Sequence, residues 1–184
     1  MTLNLLLKSG KTVFKVNEIG NILGINNNNY LFVYVNRLKK RGEIKMIKKG
    51  LYALTDNFNY FELANKLRSP SYVSFQTVLF KEGIIFQDFE NTIISAGPNS
   101  YKTTILGKQY IYHKLKPEFL AIPKGIKNDG LVKIATPERA IIDCLYIYNN
   151  YHFDNLEKIN KELLFDIAKE FGDKIFKKIK KNYA

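Results

Sequence analysis

Residues 15–54 pass through two short helical periods, parted by a glycine-centred turn, and then run directly into a basic hairpin pattern; few folds accommodate that order. Asn17 stands where an N-cap belongs for a helix through Leu23, with Ile19, Ile22 and Leu23 at core spacing and Gly24 as its stop. Gly24-Ile25-Asn26-Asn27 supplies the turn, and a second helix is expected from Asn28 or Asn29. Leu31, Tyr34, Val35 and Leu38 fall on one stripe of it, facing the first helix. Gly42 ends this helix, and residues 43–47 and 51–54 have strand composition. Lys48-Lys49-Gly50 makes a tight tip between them, where glycine supplies a positive φ. Helix, turn, basic helix and two-stranded ribbon in this order describe a winged helix-turn-helix.

Such an arrangement implies duplex nucleic acid as partner. The helix face opposite the apolar stripe carries Asn29, Tyr30, Val33, Asn36, Arg37 and Lys40, with Asn28 and Arg41 at its ends. Asn and Arg have the donor and acceptor geometry to contact adenine and guanine edges in a major groove. Lys45, Lys48 and Lys49 on the ribbon are expected to hold phosphates, positioning the helix without specifying sequence. Charge supports the assignment: the chain carries 29 Lys and Arg against 17 Asp and Glu, a formal +12, which favours polyanions. Residues 1–56 hold ten Lys and Arg against three Asp and Glu, whereas residues 57–184 hold nineteen against fourteen. Much of that second excess lies in the tail lysines 174, 177, 178, 180 and 181. Thr55-Asp56-Asn57-Phe58-Asn59 has turn chemistry, so we place the boundary between a DNA-binding domain, 1–56, and a second domain, 57–184, at Asp56. Winged-helix modules also serve as protein docking units, and the tail lysines suit DNA, RNA, an anionic membrane or a merely solvated face.

The single cysteine, Cys144, excludes an internal disulfide and a multi-cysteine zinc site. No metal or cofactor framework is visible. The apolar patch within residues 1–8 is too short for a secretory signal, and no apolar run approaches the roughly 18 to 20 residues that span a bilayer. A cytoplasmic protein is expected, with no membrane partner.

The second domain is expected to be a mixed α/β body, making the chain α+β overall. Residues 61–67 and 71–83 are expected to be helical with Ser69-Pro70 between them, and 91–96, 103–106, 109–115 and 131–135 to be strands, with Gly107-Lys108 as a hairpin turn. Thr136 caps a helix opened by Pro137 and Glu138, and helices follow over 154–171 and 173–181. A nuclease would need paired carboxylates, but Asp88, Glu90, Asp129, Glu138 and Asp143 show no spacing that demands a metal. His113 has no acid partner in its pattern, and Cys144 falls on an apolar helix side. Ala96-Gly97-Pro98-Asn99-Ser100 lacks the ending of a phosphate-binding loop. No catalytic residue is assigned, and no enzyme activity is expected.

Three blocks, Lys48-Lys49-Gly50-Leu51-Tyr52-Ala53-Leu54, then Ser69-Pro70-Ser71-Tyr72-Val73-Ser74 leading to Gly83, then Ala135-Thr136-Pro137-Glu138-Arg139-Ala140-Ile141-Ile142-Asp143, resemble in order and spacing the AbiEi family of antitoxins from toxin-antitoxin and phage-abortive-infection systems. The similarity covers about residues 15–148. The resemblance implies a winged-helix DNA-binding domain joined to an antitoxin domain. It also implies an autorepressor that binds inverted repeats at its own promoter and counteracts a nucleotidyltransferase-like toxin. By position, the wing lysines and residues 29–40 become operator contacts, and the Pro70 and Thr136–Arg139 blocks become structural signatures near the antitoxic surface. A stand-alone winged-helix regulator without antitoxic activity is the alternative, followed by an RNA-binding protein or nuclease.

Overall fold

The computed structural model describes residues 2–89 and 91–183. They divide into two compact units, Met1–Lys66 and Leu67–Ala184.

In the first unit α1 (Thr2–Lys8), β1 (Val13–Lys15), α2 (Val16–Leu23), α3 (Asn28–Lys40), β2 (Lys45–Lys48), β3 (Leu51–Ala53) and α4 (Tyr60–Leu67) follow in order. The strands form an antiparallel sheet in the order β1-β3-β2. Leu6, Phe14, Ile19, Leu31, Val35, Leu38, Ile44 and Tyr52 close its core. The α2–α3 crossing is tight because Gly20 has no side chain: a Cβ there would lie 2.7 Å from Leu31 Cδ2. Gly24 at φ +69° ends α2, and Ile25 N–H donates back to Gly20 O at 2.9 Å. Asn27 then caps α3, its Oδ1 accepting Tyr30 N–H at 3.0 Å.

Two expectations for this unit change. The N-cap of α2 is Lys15, not Asn17, because β1 runs straight into the helix and Glu18 Oε2 accepts Lys15 N–H at 2.8 Å. Neither α1 nor β1 is marked in the sequence by caps or alternation. The compact unit also extends ten residues beyond Asp56, through α4. Glu62, only 1% exposed, accepts Thr12 N–H at 2.8 Å, Thr12 Oγ1–H at 2.6 Å and Val13 N–H at 3.2 Å. Lys66 bridges Glu62 at 3.0 Å and Glu18 at 2.8 Å and donates to Val13 O.

The second unit contains β4 (Tyr72–Val73), α5 (Phe75–Lys81), β5 (Thr92–Gly97), β6 (Tyr101–Ile105), β7 (Lys108–Lys114), α6 (Pro117–Leu120), β8 (Ile126–Asn128), β9 (Lys133–Ala135), α7 (Pro137–Ile147), α8 (Lys161–Glu170) and α9 (Asp173–Tyr183). Its sheet has the order β6-β7-β5-β4-β9-β8, parallel at β5–β7 and β4–β9 and antiparallel elsewhere. Both units mix helix and sheet, as expected of an α+β chain.

Residues 71–83 are not one helix. Tyr72 and Val73 form a buried central strand pairing Ala96, Ser95 and Ile134, and only from Phe75, at φ +56°, does the chain become helical. The helix expected over 154–171 is Lys161–Glu170 alone. Ile84 O accepts both Asp154 and Asn155 N–H, which holds the preceding segment out of helical geometry. Asn160 caps α8 through Leu163 N–H at 3.1 Å, and its own N–H donates to buried Glu138 Oε1 at 3.0 Å. The hairpin turn is Leu106-Gly107, both at positive φ, so Lys108 opens β7. The short α6 and β8 carry no sequence period and were not expected.

Candidate nucleic-acid interface

At 3.6 residues per turn, burying Leu31, Val35 and Leu38 with half-buried Tyr34 turns Asn29, Val33, Asn36 and Lys40 directly outward. Arg37 and Tyr30 flank that stripe on one side and Phe32 on the other. All seven are exposed, Tyr30 by 51%, Phe32 by 56% and Val33 by 47%. Asn28 is exposed at the start of α3. No Asp or Glu occurs in the helix, so no carboxylate on this face repels a phosphate.

The ribbon places its cations unequally. Lys49 is exposed at the tip beside Gly50, which turns at φ +83°, whereas Lys48 is half-buried. Lys45 is exposed but paired with Asp56, and Arg41, just past α3, is paired with Glu43. Arg37, Lys39, Lys40 and Lys49 make no ion pair among the described residues. The structure therefore brings Asn29, Tyr30, Val33, Asn36, Arg37 and Lys40 to one face, and leaves Arg41 and Lys45 paired with carboxylates. Ion pairs near the surface such as these contribute only ~0–1 kcal/mol. Phe32, Lys39 and Met46 are exposed as well and were passed over in the sequence. An angular plot of α3 would have placed Phe32 beside Asn36.

The carboxylates of the second unit do not converge. Asp88 is exposed, and Glu90 lies outside the described residues. Asp129 is held below the usual carboxylate range by the N–H groups of Val132 and Leu131 in its own turn. Asp143 is fully buried, accepting from Ser74 Oγ at 2.7 Å, Arg139 Nε at 3.1 Å and the Tyr72 hydroxyl at 3.2 Å. Burial pushes its carboxyl upward, opposed first by Arg139. Arg139, also fully buried, donates from Nη1 to Ile122 O and Lys124 O at 3.2 Å and from Nη2 to Phe119 O at 2.7 Å and the Tyr72 oxygen at 2.6 Å. Its guanidinium lies 4.6 Å from the centre of the Phe171 ring. This hub ties β4, α6, α7 and the loop after α6 together, giving Tyr72, Arg139 and Asp143 a packing reason. A recess of about 200 Å³ beside it, lined by Pro70, Tyr72, Leu120, Ile122, Ile126 and other residues, falls below the roughly 300–1,000 Å³ of ligand pockets.

His113 is half-buried between Phe75 and Tyr148, its Nε2 sharing a 2.8 Å hydrogen bond with the Tyr148 hydroxyl. Burial holds the imidazole below its ordinary pKa. Cys144 is buried, and burial pushes its thiol well up. Among the described residues no three His, Cys, Asp or Glu cluster as metal ligands, and no helix is long and apolar enough to cross a membrane. The tail lysines sit on α9, whose other face buries Ile175 and Ile179.

The exposed basic helix and ribbon both fall within one recognisable sequence segment. Residues 1–55 match the AbiEi family. The family is described as a transcriptional regulator and AbiEi antitoxin, and the match takes in every element of the first unit except α4. Over these residues, which hold the first of the three blocks, the match bears out the resemblance read from the sequence. No curated protein matches the chain. The resemblance of the Ser69–Ser74 and Ala135–Asp143 blocks lies beyond the matched residues.

Proposed function

We propose that the first unit is a winged helix-turn-helix, and that the chain is a non-enzymatic, cytoplasmic autorepressor and antitoxin binding inverted-repeat operator DNA and counteracting a nucleotidyltransferase-like toxin. One observation carries this reading: α3 turns a carboxylate-free face of Asn29, Val33, Asn36, Arg37 and Lys40 to solvent, in the unit that also presents Lys49 at the tip of a ribbon. The family match over the same residues supports it. On this reading α3 enters the major groove, Lys48 and Lys49 hold backbone phosphates, and two copies occupy half-sites roughly 34 Å apart or a multiple of that.

The test is a gel shift with the promoter of its own gene as duplex and as single strands, run once with a chelator and once with Mg²⁺. We expect retardation of that duplex well tighter than the ~10⁻⁴ to 10⁻⁶ M range of non-specific binding. Metal-dependent cutting, or preference for single strands, would replace this reading with the nuclease or RNA-binding one. The family match covers only the unit that carries the candidate DNA contacts, so the second reading is a regulator without antitoxic activity. Co-expression with the product of the adjacent gene separates the two, since only an antitoxin restores growth.

A further inference from the structure

The α3 face is unusual in joining amides to exposed apolar side chains. Val33 lies between Asn29 and Lys40 on the outward stripe, and Phe32 lies beside Asn36. Neither side chain has a place in the unit's core, which Leu31, Val35 and Leu38 fill from the opposite side of the helix.

Each base pair offers the major groove its own chemistry. Asparagine pairs bidentately with adenine, and an apolar side chain contacts the 5-methyl group of thymine, so both residue types favour A·T pairs. Guanine is served by Arg or Lys and cytosine by Asp or Glu. The outward stripe of this face holds two asparagines and a valine, with Lys40 at its end; Phe32 stands at one flank beside Asn36 and Arg37 at the other, and carboxylates are absent. From residue 29 to residue 40 the helix rises about 16 Å, roughly five base-pair steps.

We propose that this face selects A·T-rich half-sites by their thymine methyl groups, with Val33 and Phe32 as the methyl contacts, Asn29 and Asn36 on adenine edges, and Arg37 on a single flanking guanine. The proposal rests on the DNA-binding reading above and assigns that interface its sequence class.

The experiment uses the full chain and a library of random-sequence duplexes. The tightest duplex is then remade with deoxyuridine in place of each thymidine in turn, which removes one methyl and nothing else. We expect half-sites with A·T at the central positions and one G·C at an edge. One or two thymidines should each lose about fourfold in affinity on replacement, the fold-change for roughly 0.8 kcal/mol of apolar contact at 1.4 kcal/mol per decade. Val33→Ala should bind the thymidine and deoxyuridine forms equally at one of those positions, whereas Val33→Thr, which keeps a methyl, should retain part of the difference. Unchanged thermal melting of both variants is expected, since Val33 is exposed. A G·C-rich selected core, or indifference to every deoxyuridine, overturns the proposal while leaving operator binding standing. Failure to enrich any duplex overturns both.

Discussion

Arg139 has five N–H donors and, with its side chain sealed from solvent, places them on the Tyr72 oxygen, the Asp143 carboxylate and three backbone carbonyls. Lysine has three donors on one atom and cannot span that set. Arg139→Lys is expected to lower unfolding free energy by ~3–5 kcal/mol, the usual cost of leaving a buried charge and its acceptors unpaired, as read by denaturant melts. Glu18 gives a residue-level prediction in pH. Burial works against its charge, but hydrogen bonds from Lys11, the Lys15 N–H and Lys66, with the charge of Lys66, outweigh it and bring its carboxyl from 4.5 to about 2. A carboxyl with a depressed folded pKa stabilises fully above its unfolded value, and that stability is lost as pH falls through the folded one. The first unit should therefore weaken between pH 4.5 and about 2, and Glu18→Gln should be less stable at neutral pH yet flatter across that window. Identical pH slopes for the two proteins would refute the assignment.

The division of labour between helix and ribbon is testable element by element. Arg37→Ala should cost ~1–3 kcal/mol on the operator and relax specificity at one position. Lys49→Ala should weaken operator and random duplex alike and reduce the salt slope by roughly 0.9. Asp56→Asn should tighten binding to all duplexes by freeing Lys45 from its exposed partner, whereas equal losses from all three variants would dissolve the distinction. The same elements show how far the sequence could be read. Apart from the start of α2, residues 15–54 carry the local signals of their structure: Gly24, Asn27, Gly42 and Gly50 cap or turn it, and the apolar period of α3 assigns its faces. Phe32, on the flank between the buried stripe and the outward one, belongs to neither pattern, and only its 56% exposure assigns it to the outward face. In the second unit the errors come from tertiary pairing. Tyr72-Val73 becomes a strand only because β5 and β9 flank it, and residues 154–160 stay irregular only because Ile84 O holds them. The Arg139 hub draws on residues as far apart as 72 and 143, so no local period announces it.

Over the whole molecule, charge and compactness give different limits for the first unit. Composition shifts at Asp56, while the contacts close at Lys66. The difference is α4, whose Glu62 takes three donors from Thr12 and Val13 and whose Lys66 joins Glu62 to Glu18. Without α4, the start of β1 loses the acceptor for two backbone N–H groups, and Lys66 no longer joins Glu62 to Glu18. Domains of about 55 to 65 residues can fold alone but have little stability in reserve. A fragment of residues 1–66 should accordingly melt in one cooperative transition and shift the operator duplex. A fragment of residues 1–56 should show no cooperative melt, although it retains α3, the ribbon and all the candidate DNA contacts. In the longer fragment Glu62→Ala should reproduce much of that loss, because it removes the acceptor and keeps the helix. Cooperative melting of the 1–56 fragment would show that the sequence boundary at Asp56 is the folding boundary, and that α4 only leans on a unit already complete.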